Sequence, residues 1–543
     1  MQISKIILYY NTVKYLRLVQ TFGRVFSTLK KRYLSSSVAK VHLDNKHYKL
    51  CNKVSFIQQD PWNCREHINE NRFTFLSIEK TFPHEKIDWS SEDMPLLWRF
   101  YLHYFNYLHL LKENERVQLC KEWIRANGSG NTVGWHSYPL SLRIVNWCKA
   151  QMNDPEINSS IFSQADHLYK NIENYHPGNH LLENARALVF AGLYFEKEER
   201  ARKWFKTGMR ILEKELRLQV LDDGGYFERS TMYHALMFEC VLDIMNILPD
   251  DLTQINNFFY DIASKMSIFL RSMTHPDKKI ALFNDSTFET ALPTEELLKY
   301  YFNLTKLPVK QKNAFPDAGY YIFNDSNMYM TIDAGPIGPD FLPAHAHADI
   351  FSYELSLYSK RIIVDSGVYE YQAGEMRDYV RSTRAHNTVT VDDKSQAECW
   401  GSFRVARRYP PGSIVFDHGD NYWYFKGRFD GYHSLIGDKI SHKRTIISEP
   451  RNKSLLVEDI ISGFGNHKVK SYIHFHPDIK FQFVDNLIIL NYDNKKIKLL
   501  VENGAFHFEK GWYCPRFGQK IPNNVLVMTA ESLPAQLSYL ISY

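Results

Sequence analysis

Hydrophobic positions change their period near residue 314, and that change divides the chain. From about residue 94 to residue 307 apolar side chains recur at three- and four-residue steps, most clearly over 94–105, 140–150, 180–195 and 233–248. This spacing predicts helices with a buried stripe. Pro155, Pro177-Gly178, Gly224-Gly225 and Pro249 punctuate the gaps, so the helices are joined by short turns. Beyond Ala314 the period falls to two. Residues 320–323, 328–332, 352–358, 361–364, 388–391, 422–426, 455–457, 471–475 and 488–491 read as strands, parted by turn signals such as Asn324-Asp325 and Asp392-Asp393. The pattern predicts a helical domain over 91–310 and a sandwich over 317–543.

Residues 1–90 form a lead-in with only short strand-like pieces, such as 73–78. Its first part is basic and amphipathic, with Leu16, Leu18, Val19, Phe22, Val25 and Phe26 near helical spacing and Arg24, Lys30, Lys31 and Arg32 among them. We expect it to pack on the helical domain; lying on a membrane surface is the alternative.

Composition narrows the function classes. With 543 residues, 44% hydrophobic, the chain can bury large cores. The aromatic share of 15% suits sugar stacking but equally fills cores. A formal charge of +5, from 66 basic and 61 acidic residues, is too small and dispersed for nucleic acid, yet is compatible with an anionic polymer. The seven cysteines are scattered without a Cys-x-x-Cys pair, which argues against a disulfide framework or thiolate metal site. Asn11, Lys14 and Arg17 interrupt the first apolar patch, so we read no signal peptide and expect a cytoplasmic protein; a periplasmic or secreted one, by an unrecognised route, is the alternative. No apolar run approaches the roughly 20 residues that span a bilayer. Oligomeric state is not readable.

Three clusters carry candidate chemistry. In the 177–184 stretch a Pro-Gly turn precedes Asn179, His180, Glu183 and Asn184; His180 and Glu183 are three apart on one helical face. A plain N-cap explains the same residues. In the 224–234 stretch a glycine pair precedes Arg229 and Tyr233, four apart; a neighbouring cation would favour phenolate, whereas a hydrogen-bonded core tyrosine needs no such role. The third is His345-Ala-His347-Ala-Asp349. If extended, it points all three polar residues to one face. His347, Asp365 and His386 make a His/Asp/His set of the kind a divalent ion accepts. Asp365 closes an apolar run and would want a charged partner.

Taken together, the 134–147 segment (Gly-Trp135-His136-Ser-Tyr-Pro-Leu-Ser-Leu-Arg143-Ile-Val-Asn-Trp), 179–184, 228–234, 345–349 and 384–388 resemble, in order, the heparinase II/III-like polysaccharide lyases. The resemblance implies an N-terminal incomplete (α/α) toroid followed by a C-terminal antiparallel β-sandwich, with the site between them. It implies β-elimination at a uronic acid of an anionic polysaccharide. Asn179, His180 and Glu183 would neutralise the uronate carboxylate, Tyr233 would protonate the leaving O4, and His345 would act as base or as partner to Tyr233. His347, Asp365 and His386 would hold a structural divalent metal, zinc first, with manganese or calcium as alternatives. Asp349 has no family counterpart and is expected to serve as a hydrogen-bonding partner. Trp135, His136 and Arg143 would either line the substrate path or pack internally, and Arg229 would either hold a substrate anion or tune Tyr233. Two other readings stand beside the lyase: a toroid glycoside hydrolase using carboxylates such as Asp222, Asp223, Glu183 or Glu228, and a non-catalytic polysaccharide-binding or assembly protein.

Overall fold

The computed structural model describes residues 2–23, 43, 47–83, 86–128, 132–493 and 495–543. Arg24, Lys30, Lys31 and Arg32 lie outside the described residues. The helical half consists of helices packed on one another. The Ser137–Ala150 helix packs on Asn179–Tyr194, which packs in turn on Glu199–Gln219, while Thr231–Ile247 packs on Thr253–Ser272. Glycines set the closest approach. A Cβ on Gly208 would sit 2.7 Å from the carbonyl oxygen of Ala185, and one on Gly192 would sit 2.9 Å from the backbone of Phe205. The period-3.6 apolar stripes meet in one large core that runs from Trp98 and Trp147 through Leu188 and Phe238 to Tyr300.

The helical period ends with the Thr294–Thr305 helix, and the next strand after it is Ala314–Phe315. Five strands follow as an antiparallel meander, Ala314–Phe315 to Lys360–Ile363. Further on, an eight-stranded sheet and a four-stranded sheet complete the sandwich. Facing residues such as Ile332, Leu355, Phe425, Val457, Leu490 and Ile541 share a second core. The architecture is therefore a helical toroid followed by an antiparallel β-sandwich.

Two sequence expectations change. The 345–349 segment is not a strand but part of the irregular connection between Met328–Asp333 and Tyr353–Leu357; its polar groups bond to several partners instead of a ladder. The lead-in also divides. Residues 47–83 do pack on the toroid, through Tyr48 to Glu198 at 3.0 Å and the backbone of Lys53 to that of Asn246. The Gln2–Val13 helix instead meets the sheet half, where Tyr9 packs edge-on to Trp400.

The junction is built around the 273–292 segment. His275 Nδ1 lies 2.8 Å from Ser356 Oγ, Arg361 reaches Asp277 at 2.8 Å, and the Phe288 amide donates to the carbonyl of Pro515. That segment carries Asn284 and Asp285 to the base of the candidate site.

Candidate active site

Ser230 caps the Thr231–Ile247 helix, its Oγ accepting from the Tyr233 amide at 3.2 Å, and so presents Tyr233 one turn in. The Tyr233 ring stacks on His345 with centroids 4.0 Å apart. Its hydroxyl lies 3.0 Å from that of Tyr371, on the sheet half. Burial, reinforced by Tyr371, raises the Tyr233 pKa well above the ordinary phenol value. The side chain is a neutral phenol, a proton donor.

Asp285 organises both histidines of the His-x-His pair. Its Oδ2 lies 2.8 Å from His345 Nδ1 and its Oδ1 2.9 Å from His347 Nε2, and Arg377 clamps the same carboxylate with both terminal nitrogens. Burial would raise the Asp285 pKa, but Arg377 and the two histidines hold it well below the usual carboxylate range. An ionised carboxylate only accepts. Each histidine therefore places its proton on the nitrogen facing Asp285, leaving His345 Nε2 and His347 Nδ1 with their lone pairs. His345 Nε2 lies 3.6 Å from the buried Glu228, whose pKa burial raises.

His180 sits at the mouth of the Asn179–Tyr194 helix, which Gly178 enters at φ 101°, a conformation that favours glycine. Asn179 is not the cap: its Nδ2 reaches the Tyr138 hydroxyl at 3.4 Å. The His180 ring is stacked between His176 and Tyr138, with centroids at 4.5 and 4.4 Å, and its Nδ1 lies 3.2 Å from Glu173. Burial opposes ionisation of Glu173, yet His180 brings its pKa down to about 2. His136 caps its own helix and places its ring 6.3 Å from His180.

Other sequence candidates are drawn elsewhere. Arg143 is fully buried, stacked 3.9 Å over Trp123 and bonded to Gln164. Trp135 is buried and donates to the carbonyls of Asn127 and Gly128. Both pack internally and do not line a substrate path. Arg229 donates to the carbonyls of Phe227, Asp317 and Ala318 and so staples the toroid to the sandwich. Glu183 turns to Arg186 at 3.0 Å, within a buried network that includes Lys149, Glu239 and Asp243. It lines a cavity of about 410 Å³ with Tyr138, Asn146 and Thr290.

The metal candidates are rearranged. His347, Asp349 and His386 bring ligand-capable atoms within 4.8 Å of one another, all buried. His347 Nδ1, Asp349 Oδ2 and His386 Nε2 have no hydrogen-bond partner. Three orphaned polar atoms in one buried cluster fit a bound cation. Asp365 instead takes the other nitrogen of His386, Nδ1, at 2.8 Å. In this geometry Asp349 groups with His347 and His386, while Asp365 is engaged by the ring it was expected to join as a ligand. Burial lowers the His347 pKa to about 3, whereas Asp365 outweighs burial at His386 and raises its pKa to about 9.

Sequence reasoning missed Asp285, Tyr371, Arg377 and Glu173 as site residues. Asp285 had a signal: it follows the apolar run Ile280-Ala-Leu-Phe283 by one residue, Asn284, where a carboxylate needs a partner. Tyr371 and Arg377 had none, since their neighbours carry no pattern that distinguishes them.

Comparison with known proteins places this arrangement. Residues 156–329 match the family described as heparinase II/III N-terminus, and residues 307–538 that described as heparinase II/III-like, C-terminal. A heparin-sulfate lyase of Bacteroides stercoris is 30% identical over 246 residues, covering 40% of this chain and 36% of that protein. One from Bacteroides thetaiotaomicron is 23% identical over 407 residues, covering 64% and 55%. The chain thus spans about a third to a half of the length of these curated relatives. A crystal structure of heparinase III superposes with a TM-score of 0.67 at 18% identity, covering 85% of this chain and 79% of that one. That of a heparan sulfate lyase from Pedobacter heparinus gives 0.59 at 19%, covering 96% and 88%; both show the shared fold. With two adjoining family matches running from residue 156 to residue 538 and the toroid-sandwich architecture, the chain belongs to the heparinase II/III-like family.

Proposed function

We propose that the protein is a polysaccharide lyase that cleaves a uronic-acid-containing polysaccharide, of the glycosaminoglycan, alginate or bacterial capsular type, by β-elimination. One observation carries this reading: a neutral phenol stacked on a histidine whose other nitrogen is fixed by an ionised aspartate. An acid and a base lie face to face, as removal of a C5 proton and departure of O4 require.

In this reading His345 Nε2 takes the C5 proton, the C5–H electrons form the C4=C5 bond, and the C4–O4 bond breaks. Tyr233 gives its proton to O4. Asn179 and His180, held by Tyr138 and Glu173, donate toward the uronate carboxylate as charge builds there, and need not reorganise to do so. Glu183 acts one step back, by fixing Arg186. His347, Asp349 and His386 would hold a divalent cation, zinc suiting the two imidazoles best, with Asp365 orienting His386. Its positive charge would tie the 345–349 loop to the 384–388 segment, in a structural role.

The hydrolase alternative needs a free carboxylate pair. Asp223 accepts from the amides of Gly225 and Ala318 and Glu183 is ion-paired, so neither of these two is free for that role. Incubation with a panel of glycosaminoglycans, alginate and capsular polymers tests the proposal. The expected products absorb in the ultraviolet through the new C4=C5 bond; products heavier by one water, without that absorbance, would overturn it.

A further inference from the structure

The first helical segment wears its apolar side chains on the outside. Its contacts with the body are hydrogen bonds and ring contacts, Tyr9 on Trp400 and Tyr15 under Arg408 among them. Thr12 accepts from Trp400 Nε1 at 3.1 Å and buried Gln20 donates to the Phe341 carbonyl at 3.0 Å, while Asn11, also buried, bonds the Ile7 carbonyl within its own helix. Arg17 stacks 3.5 Å from the Phe341 ring. Ile6, Tyr10 and Val13, spaced four and three apart on one helical face, point away. They and Leu18, Val19 and Phe22, in the helical residues 18–23, are 50–75% exposed. A helix that only covers a core has the reverse polarity. Docking fixed by these contacts, with apolar positions facing outward, leaves that face for a second apolar phase.

Charge indicates which phase. Residues 1–43 carry Lys5, Lys14, Arg17, Arg24, Lys30, Lys31, Arg32 and Lys40 and contain no Asp or Glu. Lys5 and Lys14 are exposed beside the apolar row. Apolar and aromatic side chains in a wholly basic stretch are the make-up of a helix that lies in the interface of an anionic bilayer. A second copy seated on the same face would instead bring two basic segments together. The Gln2–Val13 helix has 12 residues, short of the roughly 20 that span a bilayer, so it would lie in the plane of the surface.

We propose that this segment docks the protein onto an anionic membrane surface, with Ile6, Tyr10, Val13, Leu18, Val19 and Phe22 entering the interface and Lys5 and Lys14 on the headgroups. Co-sedimentation of the full chain with phosphatidylcholine vesicles containing phosphatidylglycerol, and with phosphatidylcholine alone, tests it. Binding is expected to the first, weaker by about tenfold or more on the second and in high salt. Ile6→Glu with Tyr10→Glu, and separately Leu18→Glu with Phe22→Glu, should each reduce it by about tenfold at unchanged melting temperature. Lys5→Glu with Lys14→Glu removes charge without touching the apolar row and should also weaken it. Failure to sediment with anionic vesicles, or sedimentation indifferent to all three pairs, would overturn the proposal. So would a dimer abolished by the apolar substitutions in a protein that ignores vesicles, which would assign the face to a second copy.

Discussion

At the scale of single residues, the site depends on where protons sit. Tyr233→Phe removes the phenolic proton while keeping the ring on His345, so turnover should fall by about 10² to 10⁴ with folding intact; retained turnover on the cleaved polymer would remove Tyr233 from its role. Tyr371→Phe removes a neighbour and should cost far less. Glu173 gives a stability prediction. Its folded pKa of about 2 lies below the ordinary carboxylate value, so its contribution is complete above about pH 4.5 and is lost as pH falls toward 2. Asp285, also depressed, acts in the same direction. Acid-unfolding curves of Glu173→Gln should therefore be flatter between pH 4.5 and 2 than those of the parent. The residue types of this site were legible in the sequence, but their pairings were only partly so. Asn179, His180, Tyr233 and His345 could be singled out because motif order marks them. The grouping of Asp349 with His347 and His386 could not, because it turns on which nitrogen of His386 is already bonded to Asp365.

At the scale of elements, the helical period was legible because apolar stripes bury against one another whatever else the helix does. The His-x-His segment was not, since alternation over five residues fits a strand and a loop equally. Pro343 before it and the partners at Asn284, Asp285 and Arg381 draw it away from any ladder. Arg143 and Arg229 mislead for the same reason: a cation reads as an anion site until its carbonyl and ring partners are seen. Helix spacing makes its own prediction. Gly208→Val forces a Cβ within 2.7 Å of the Ala185 carbonyl, which side-chain rotation cannot relieve. Melting should show a loss of about 1–3 kcal/mol, whereas Gly128→Ala, at a position where an added Cβ meets nothing within 4 Å, should stay within about 0.5 kcal/mol.

At the scale of the whole molecule, the toroid and sandwich are held together by the same residues that build the site. Asp285 comes from the connection after the toroid's long helices, Arg377 and the histidines from the sheet half, and Asn284 and Asp285 carry the toroid's contribution to the His345–Asp349 loop. The cluster of His347, Asp349 and His386 lies at that seam with three unpartnered polar atoms, so a cation there would stabilise the assembled molecule and not one half alone. At a hundredfold excess over its dissociation constant a ligand adds about 2.7 kcal/mol, about two degrees of melting temperature for a chain of this size. Exhaustive chelation should therefore lower the melting temperature by that much, and zinc should restore it. His347→Ala should abolish the response, and Asp349→Ala should weaken it more than Asp365→Ala, because Asp365 already spends its carboxylate on His386. Elemental assay of the purified protein should find about one divalent ion per chain. A metal-free protein whose melting ignores both chelator and zinc would return the three orphaned atoms to water or to the buried protons of Asp349 and His386.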